Sequence, residues 1–344
     1  MGTQLTTARD AGSPATDGLM QAIVQDTYGS ADVLRLARIA RPEIAENEVL
    51  VRVHAAGLDR GTWHLMTGKP YLMRLAMGFR GPKQPVSGRD VAGTVVAVGS
   101  AVTRFAVGDE VFGMGKGSFA EYTAVREDKL ARKPANLSFA QAATVPISGG
   151  TALQALVAGR VERGQHLLVI GASGGVGSYA VQLAKAFGAE VTGVCGTAKL
   201  DLVRSLGADH VIDYTREDFA EGGRRYDLIL DIAGNPSLSR LRRALEPRGT
   251  AVITGGEEGG NFSGGMNRQL RALVWSMLGR KRLTMLVSKE RGADLERLTE
   301  YLAAGTVTPS VDRTYPLAEA PEAMRRLEAG DVRGKVAITV ADPA

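Results

Sequence analysis

The sequence predicts an α/β protein in which a compact, barrel-like β-region precedes a doubly wound parallel sheet. Three observations carry this reading. Short runs of β-branched and aromatic residues bounded by glycine fill the chain from Met20 to about Phe139. From Ser138 onward, apolar runs alternate with amphipathic stretches, the pattern of strand and helix units in a parallel sheet. Where one of these runs ends, VIGASGGVGS (169–178) sets four glycines between a strand and a helix.

The elements follow in order. Residues 1–19 are small, polar and glycine-containing, which predicts a disordered extension with the ordered protein starting near Met20. MQAIVQDTYG, VLVRVHAAG, VAGTVVAVG, DEVFGM and FAEYTAV read as the β-region. SFAQAATVPISGGTALQALVAG is alanine-rich with helical spacing, and the alternation then runs through HLLVIGA, VGSYAVQLAKAFGA, VTGVCG, KLDLVRSLGA, HVIDY, YDLILDIAG, LSRLRRALEP and TAVITGG. NFSGGMNRQLRALVWSMLGRKRLTMLVS adds an apolar helix with a basic rim and a last strand, LTMLVS. Two more helices, ADLERLTEYLAAG and LAEAPEAMRRLEAG, lead to a terminal strand, KVAITV. The parallel sheet already has its strands, so these closing elements are expected to return to the β-region.

Composition narrows the function. A chain of 344 residues, 44% hydrophobic and 23% charged, is long enough for two cores. The net charge of +5, from 42 basic against 37 acidic residues, reads as a dispersed excess and argues against nucleic-acid binding. The single cysteine, Cys195, excludes an intrachain disulfide and fits a reducing, cytoplasmic compartment. No apolar run reaches the length of a membrane span and no signal peptide is recognisable, so stable membrane insertion is not expected.

The glycine loop carries the first specific chemistry. A dinucleotide pyrophosphate needs a tight turn, bare backbone to approach, and a helix N-terminus whose free N–H groups favour negative charge. Gly171, Gly174, Gly175 and Gly177 stand where HLLVIGA ends and VGSYAVQLAKAFGA begins. An NAD site usually places an acid about twenty residues on, at the end of the next strand. Here that end reads Gly193-Val194-Cys195-Gly196-Thr197-Ala198-Lys199, with a hydroxyl and a lysine instead, which suits the 2′-phosphate of NADP(H). A solvated surface lysine is the competing reading of Lys199 taken alone.

The ordered set VRVHAAGLDRGTWHLMTGK, SGRDVAGTVVAVG, FAVGDEVFG, GSFAEYTAV, ATVPISGGTALQAL, GASGGVGSYAVQLAKAFGAEVTGVCG, VRSLGADHVIDY and GKVAITV resembles the medium-chain dehydrogenase/reductase superfamily, in its zinc-independent quinone oxidoreductase-like branch. The resemblance covers Met20 to Val340. It implies a GroES-like β-domain interrupted by a Rossmann domain, with residues 20–145 forming the first, 146–288 the NADP-binding domain, and 289–344 returning to the β-domain. Zinc-using members carry a cysteine near Leu58-Asp59 and a Gly-His-Glu motif where this chain has Gly88-Arg89-Asp90, and they have a cysteine-rich lobe that is missing here. No metal is therefore expected, and Arg89 and Asp90 are expected to form an ion pair in its place.

By the same resemblance, Thr151 lies near the nicotinamide, while Gly174, Gly175, Val176 and Gly177 face the pyrophosphate. Thr197, Lys199 and Tyr214 meet the 2′-phosphate. Ala233, Gly234, Gly255 and Gly256 line the cofactor cleft, and Lys335 is a weaker cofactor contact. For each glycine, simple turn formation is the alternative. On the substrate side stand Asp59, Arg60, Trp63 and His64, with Tyr71 in a stretch, MTGKPYLMRLAMGFRGPKQP, suited to a pocket wall. Asp59, His64 and Tyr71 are the catalytic candidates, set against a packing role for His64 and Tyr71 and loop ion pairs for Asp59 and Arg60. Many relatives have an asparagine where this chain has Leu58-Asp59-Arg60.

Without zinc to polarise a carbonyl, the favourable substrates spread the arriving charge by their own conjugation. The expected activity is NADPH-dependent hydride transfer to a quinone or an α,β-unsaturated carbonyl. An NADP-linked enoyl-thioester reductase and a non-catalytic NADPH-binding protein are the alternatives. RQLRALVWSMLGRKRL suits a pocket cover or a dimer contact ahead of a membrane-surface helix, and the resemblance implies that LTMLVS pairs across a homodimer.

Overall fold

The computed structural model describes residues 18–255, 260, 268, 271, 272 and 280–340. A hairpin of β1 (Leu19–Val24) and β2 (Arg35–Ala40) flanks a larger sheet that includes β3 (Glu48–Leu58), β4 (Asp90–Val98), β5 (Glu110–Met114), β6 (Tyr122–Arg126) and β7 (Leu130–Arg132). β3 alternates buried and half-buried residues over most of its length, then buries Ala55 to Leu58 on both faces as it enters the junction with the second sheet. The excursion between β3 and β4 opens with a helix, Arg60–Thr67, which the sequence pattern did not announce. Local chemistry defines it: the Asp59 carboxylate accepts the Thr62 amide, and Gly68 ends it at φ 61.

The second sheet is wholly parallel. Its strands are β8 (His166–Ile170), β9 (Glu190–Cys195), β10 (His210–Asp213), β11 (Tyr226–Asp231), β12 (Leu245–Ile253) and β13 (Arg282–Met285), in the order β10-β9-β8-β11-β12-β13. Strand order reverses between β8 and β11, which puts the ligand crevice beyond their carboxyl ends. LSRLRRALEP divides there: the helix stops at Ala244 and Leu245 already belongs to β12.

The C-terminal strands β14 (Val311–Pro316) and β15 (Lys335–Thr339) join the first sheet, β15 running antiparallel to β3. β14 was not foreseen, because VDRTYP is polar, mostly half-buried or exposed, and sits at the sheet edge where no apolar alternation is required. Helix Pro146–Gly159 lies between the sheets and packs against helices Gly175–Ala186 and Gly292–Ala303. That position explains why it is apolar almost all round. Of the segment read as an apolar helix, residues 261–267, 269–270 and 273–279 lie outside the described residues.

Candidate active site and cofactor cleft

At the crevice, each glycine of the loop has its own task. Gly171 turns with φ +85, and a Cβ there would meet the Ala233 Cβ at 2.8 Å. Ala233 thus faces the loop across the switch point, and Gly234 follows it with open space where a Cβ would stand. Gly177 lets the helix touch the strand, since a Cβ on it would lie 2.1 Å from the Gly171 oxygen. Gly174, at the N-cap of helix Gly175–Ala186, is the open position: its Cβ would meet nothing closer than the Gly171 oxygen at 3.4 Å. Free N–H groups of the first helical turn, including those of Gly175, Val176 and Gly177, stand behind that opening. The cradle fits a dinucleotide pyrophosphate. Gly255 lies against the Ile232 oxygen, and Gly256 falls outside the described residues.

The 2′-phosphate candidates lie together, but their polar atoms are partly engaged. The Thr197 hydroxyl donates to Asp213 Oδ2 at 2.5 Å, and the Thr215 hydroxyl donates to Asp213 Oδ1 at 2.7 Å. These hydrogen bonds, Thr197 first, hold the Asp213 carboxyl below the usual carboxylate range. Lys199 Nζ donates to the carbonyls of Gly330 and Val332 at 2.6 and 2.8 Å. The Tyr214 ring is exposed beside Gly196. A residue not foreseen, Arg333, donates to Ala198 O and Asp201 Oδ2, which adds a second cation to this corner. Its position two residues before Lys335 was the available signal. Cys195 is buried, and burial, with Asp213 second, pushes its thiol up to about 11, so it is a poor nucleophile.

Beneath the loop lies a buried polar floor. Lys335, only 2% exposed, donates to Leu58 O at 2.8 Å and to Ser148 Oγ at 3.0 Å. A Cβ on Gly175 would meet Lys335 Cδ at 3.0 Å and Ser148 Oγ at 3.1 Å, so the start of the cofactor helix rests on this pair. Asp90 is fully buried: Oδ1 accepts the Ile147 amide at 3.0 Å, and Oδ2 has no hydrogen-bond partner. Burial, with the Asp59 carboxylate as second cause, holds Asp90 well above the usual carboxylate range despite Lys335, the Ile147 amide and Arg89. Ser148 and this role for Asp90 were not legible from motifs.

The sign of the pH effect follows. The native state keeps a proton on Asp90 that the unfolded chain releases near pH 3.9, so its stabilising share is complete below that pH. It is lost as pH rises through the native pKa. Asp90→Asn keeps the shape of the protonated form, and we expect its stability relative to wild type to improve by about 1.4 kcal/mol per pH unit across that window. Asp90→Ala orphans the Ile147 amide at a cost of about 1–3 kcal/mol. Urea unfolding from pH 4 to pH 8 checks both; parallel wild-type and Asn curves would refute the protonated Asp90.

Among the catalytic candidates, Asp59 caps its helix and accepts both the amide and the hydroxyl of Thr62. His64 Nδ1 is 2.7 Å from Lys69 O and its ring meets Trp63 edge-on, while the Trp63 indole donates to Glu328. Tyr71 is exposed, with Arg74 over its ring. The structure brings none of these three to the cavity of about 130 Å³ at the junction, which is lined by Gly61, Arg89, Ile147, Gly150, Gln154 and Glu290, among others. Thr151 follows Gly150 on helix Pro146–Gly159 and is half-buried. The expected pair of Arg89 with Asp90 is also corrected. Arg89 instead forms a salt bridge with Glu290 across the cavity, because Asp90 turns inward to the Ile147 amide.

A phosphate loop at a strand switch point, closed against a β-sheet that supplies the floor, defines a nucleotide-dependent oxidoreductase architecture. Residues 45–135 match the model of the alcohol dehydrogenase GroES-like domain, and residues 206–338 that of the zinc-binding dehydrogenases. The chain is 36% identical to 2-methylene-furan-3-one reductase of Solanum lycopersicum, over 93% of this chain and 79% of that protein. It is 37% identical to a chloroplastic NADPH-dependent alkenal/one oxidoreductase of Arabidopsis thaliana, with the same coverage. The quinone oxidoreductase from Coxiella burnetii superposes with a TM-score of 0.83 at 28% identity, covering 94% of this chain and 100% of that one. The chain belongs to the medium-chain dehydrogenase/reductase superfamily, in its quinone oxidoreductase-like branch.

The zinc implied by one family description does not fit the residues present. At the ends of β3 and β4 the side chains are those of Leu58, Asp59, Arg89 and Asp90; Asp59 caps its helix, and burial holds the Asp90 carboxyl well above the usual carboxylate range, with Oδ1 on the Ile147 amide. Neither thiolate nor imidazole is offered there, and His64 directs Nδ1 to Lys69 O.

Proposed function

We propose that the protein is a zinc-independent, NADPH-dependent reductase that delivers hydride to a quinone or an α,β-unsaturated carbonyl. The observation that carries this reading is the meeting, in one cleft, of a loop built as a pyrophosphate cradle and a junction that offers neither thiolate nor imidazole among the described residues. Similarity to reductases of alkenals, enones and quinones supports it.

NADPH, when bound, supplies the hydride. The chain's own groups hold and orient it: Gly174 to Gly177 at the pyrophosphate, Thr151 toward the nicotinamide, Ala233, Gly234 and Gly255 along the cleft, and Lys199 with Arg333 and Tyr214 at the 2′-phosphate. Lys335 acts from below by supporting Gly175. Asp59 and His64 are assigned positioning roles, because the Asp59 carboxylate caps its helix, His64 Nδ1 is held by Lys69 O, and neither side chain lines the junction cavity. The conjugated product anion takes its proton from water. We further infer a cytoplasmic homodimer paired along β13, the last strand in the sheet order, which has no outer neighbour among the described residues.

The test follows nicotinamide absorbance in purified protein with NADPH and a panel of quinones, enones and enoyl-thioesters. Turnover of quinones or enones is expected. Binding of NADPH without turnover of any of them, or fastest turnover of the thioesters, refutes the reading. Lys199→Ala is expected to lower kcat/KM for NADPH by about ten- to a hundredfold, the equivalent of one charge-assisted hydrogen bond, and to change NADH little. Equal losses with both cofactors would remove Lys199 from the 2′-phosphate site.

A further inference from the structure

The net positive charge is not dispersed as the composition suggests. Residues 60–89, the excursion between β3 and β4, hold six of the chain's 42 Lys and Arg residues and none of its 37 Asp and Glu residues. The remainder of the chain is therefore close to neutral. The same excursion concentrates exposed apolar surface: Tyr71, Leu72, Met73, Leu75 and Phe79 stand out within nine residues, with Leu75 72% and Phe79 76% exposed. None of these side chains lines the junction cavity, so the stretch read as a pocket wall faces outward.

The outward presentation is built rather than slack. Arg74 donates to the carbonyls of Gly68 and Thr67 and lies over the rings of Tyr28 and Tyr71. The Tyr28 hydroxyl donates to Gly78 O at 2.8 Å, and the Lys83 amide to Met77 O at 2.8 Å. Gly78 (φ +125) turns the chain so tightly that a Cβ there would lie 2.1 Å from the Gly81 oxygen. These contacts use the inner atoms and leave Leu75, Phe79, Arg80 and Lys83 outside. Among the described residues no hydrogen bond or ion pair engages the side chains of Arg80 and Lys83.

We propose that this excursion is a docking surface for an anionic lipid bilayer, with Leu75 and Phe79 entering the interface and Arg80 and Lys83 meeting the headgroups. Apolar and aromatic groups flanked by Arg80 and Lys83, on a segment that carries no carboxylate of its own, match that surface in both polarity and sign. A second copy docked symmetrically on the same patch would oppose cation to cation. The excursion starts and ends at the cleft, since Gly61 and Arg89 both line the cavity. On the reductase reading, on which this last step alone rests, a lipophilic quinone or enone dissolved in the bilayer is the substrate class the arrangement favours.

Co-sedimentation of the full chain with NADPH and vesicles tests the docking without reference to turnover. Binding to phosphatidylcholine vesicles with about one third phosphatidylglycerol is expected to exceed binding to pure phosphatidylcholine by about tenfold and to fall with salt. Leu75→Asp with Phe79→Asp, and separately Arg80→Glu with Lys83→Glu, each reduce it by about tenfold or more, while NADPH oxidation by a water-soluble quinone without vesicles is unchanged. Absence of binding, equal binding to neutral vesicles, or variants that bind like wild type overturn the proposal. So does a dimer, seen by ultracentrifugation without lipid, that Leu75→Asp with Phe79→Asp splits.

Discussion

Lys335→Met lowers the unfolding free energy by about 2–4 kcal/mol and weakens NADPH binding by about tenfold. The thioether nearly fills the volume of the lysine stem, so the effect comes from the polar atoms left behind. Leu58 O and Ser148 Oγ lose their shared donor in a site sealed from water, and each buried group stranded in this way costs about 1–3 kcal/mol. The binding loss has a separate origin. Gly175, the first residue of the cofactor helix, sits on the Lys335 stem and Ser148, so slack in the floor loosens the N–H groups above it. Urea denaturation and fluorescence titration with NADPH read the two effects independently. An unchanged denaturation midpoint together with an unchanged Kd would show that the floor does not support the loop.

The second large effect separates two glycines three residues apart. Gly177→Ala puts a methyl 2.1 Å from the Gly171 oxygen and 2.8 Å from backbone atoms of Ala172. No side-chain rotation relieves such contacts, so the helix must move off the strand at a cost of about 1–3 kcal/mol. Displacement of about an ångström at the pyrophosphate reduces productive binding on the order of a hundredfold. Gly174→Ala has the opposite profile. Its methyl finds only an ordinary 3.4 Å contact within the protein, so the melting temperature stays near wild type while NADPH affinity falls, because the methyl occupies the phosphate's approach. Equal destabilisation by the two substitutions would mean that Gly174 is a packing glycine and the opening in front of it has no ligand.

Much of the architecture was legible because it depends on local pattern. HLLVIGA and YDLILDIAG are apolar through their centres, since central parallel strands are covered on both faces, and the loop glycines sit where strand and helix patterns change over. β14 and the Arg60–Thr67 helix were missed for the complementary reason: an edge strand tolerates VDRTYP, and a short helix defined by its caps needs no apolar stripe. The site was legible where backbone does the work and obscure where side chains choose partners. Arg89 and Asp90 adjoin in sequence, yet at the entry to β4, whose first residue is Asp90, the two side chains part, one to Glu290 and the other to the Ile147 amide. Asp59 and His64 have the chemistry of acids and bases, but a helix cap and a loop carbonyl had prior claim on them. Ser148 became visible only through Lys335, which lies 187 residues away in sequence.

The place of β15 bears on how the molecule is made. It runs between β14 and β3, so a sheet whose strands β3 to β7 are made before the parallel sheet is closed by a strand made after it. Until residues 335–339 emerge, the Ala55–Leu58 end of β3, beyond its pairing with β6, presents a bare hydrogen-bonding edge of the kind that invites pairing with other nascent chains. Among the described residues, the parallel sheet has all its strands once β13 is out. Synthesis from the N-terminus therefore favours an order in which the nucleotide half matures first and serves as the template on which the earlier-made half is finished.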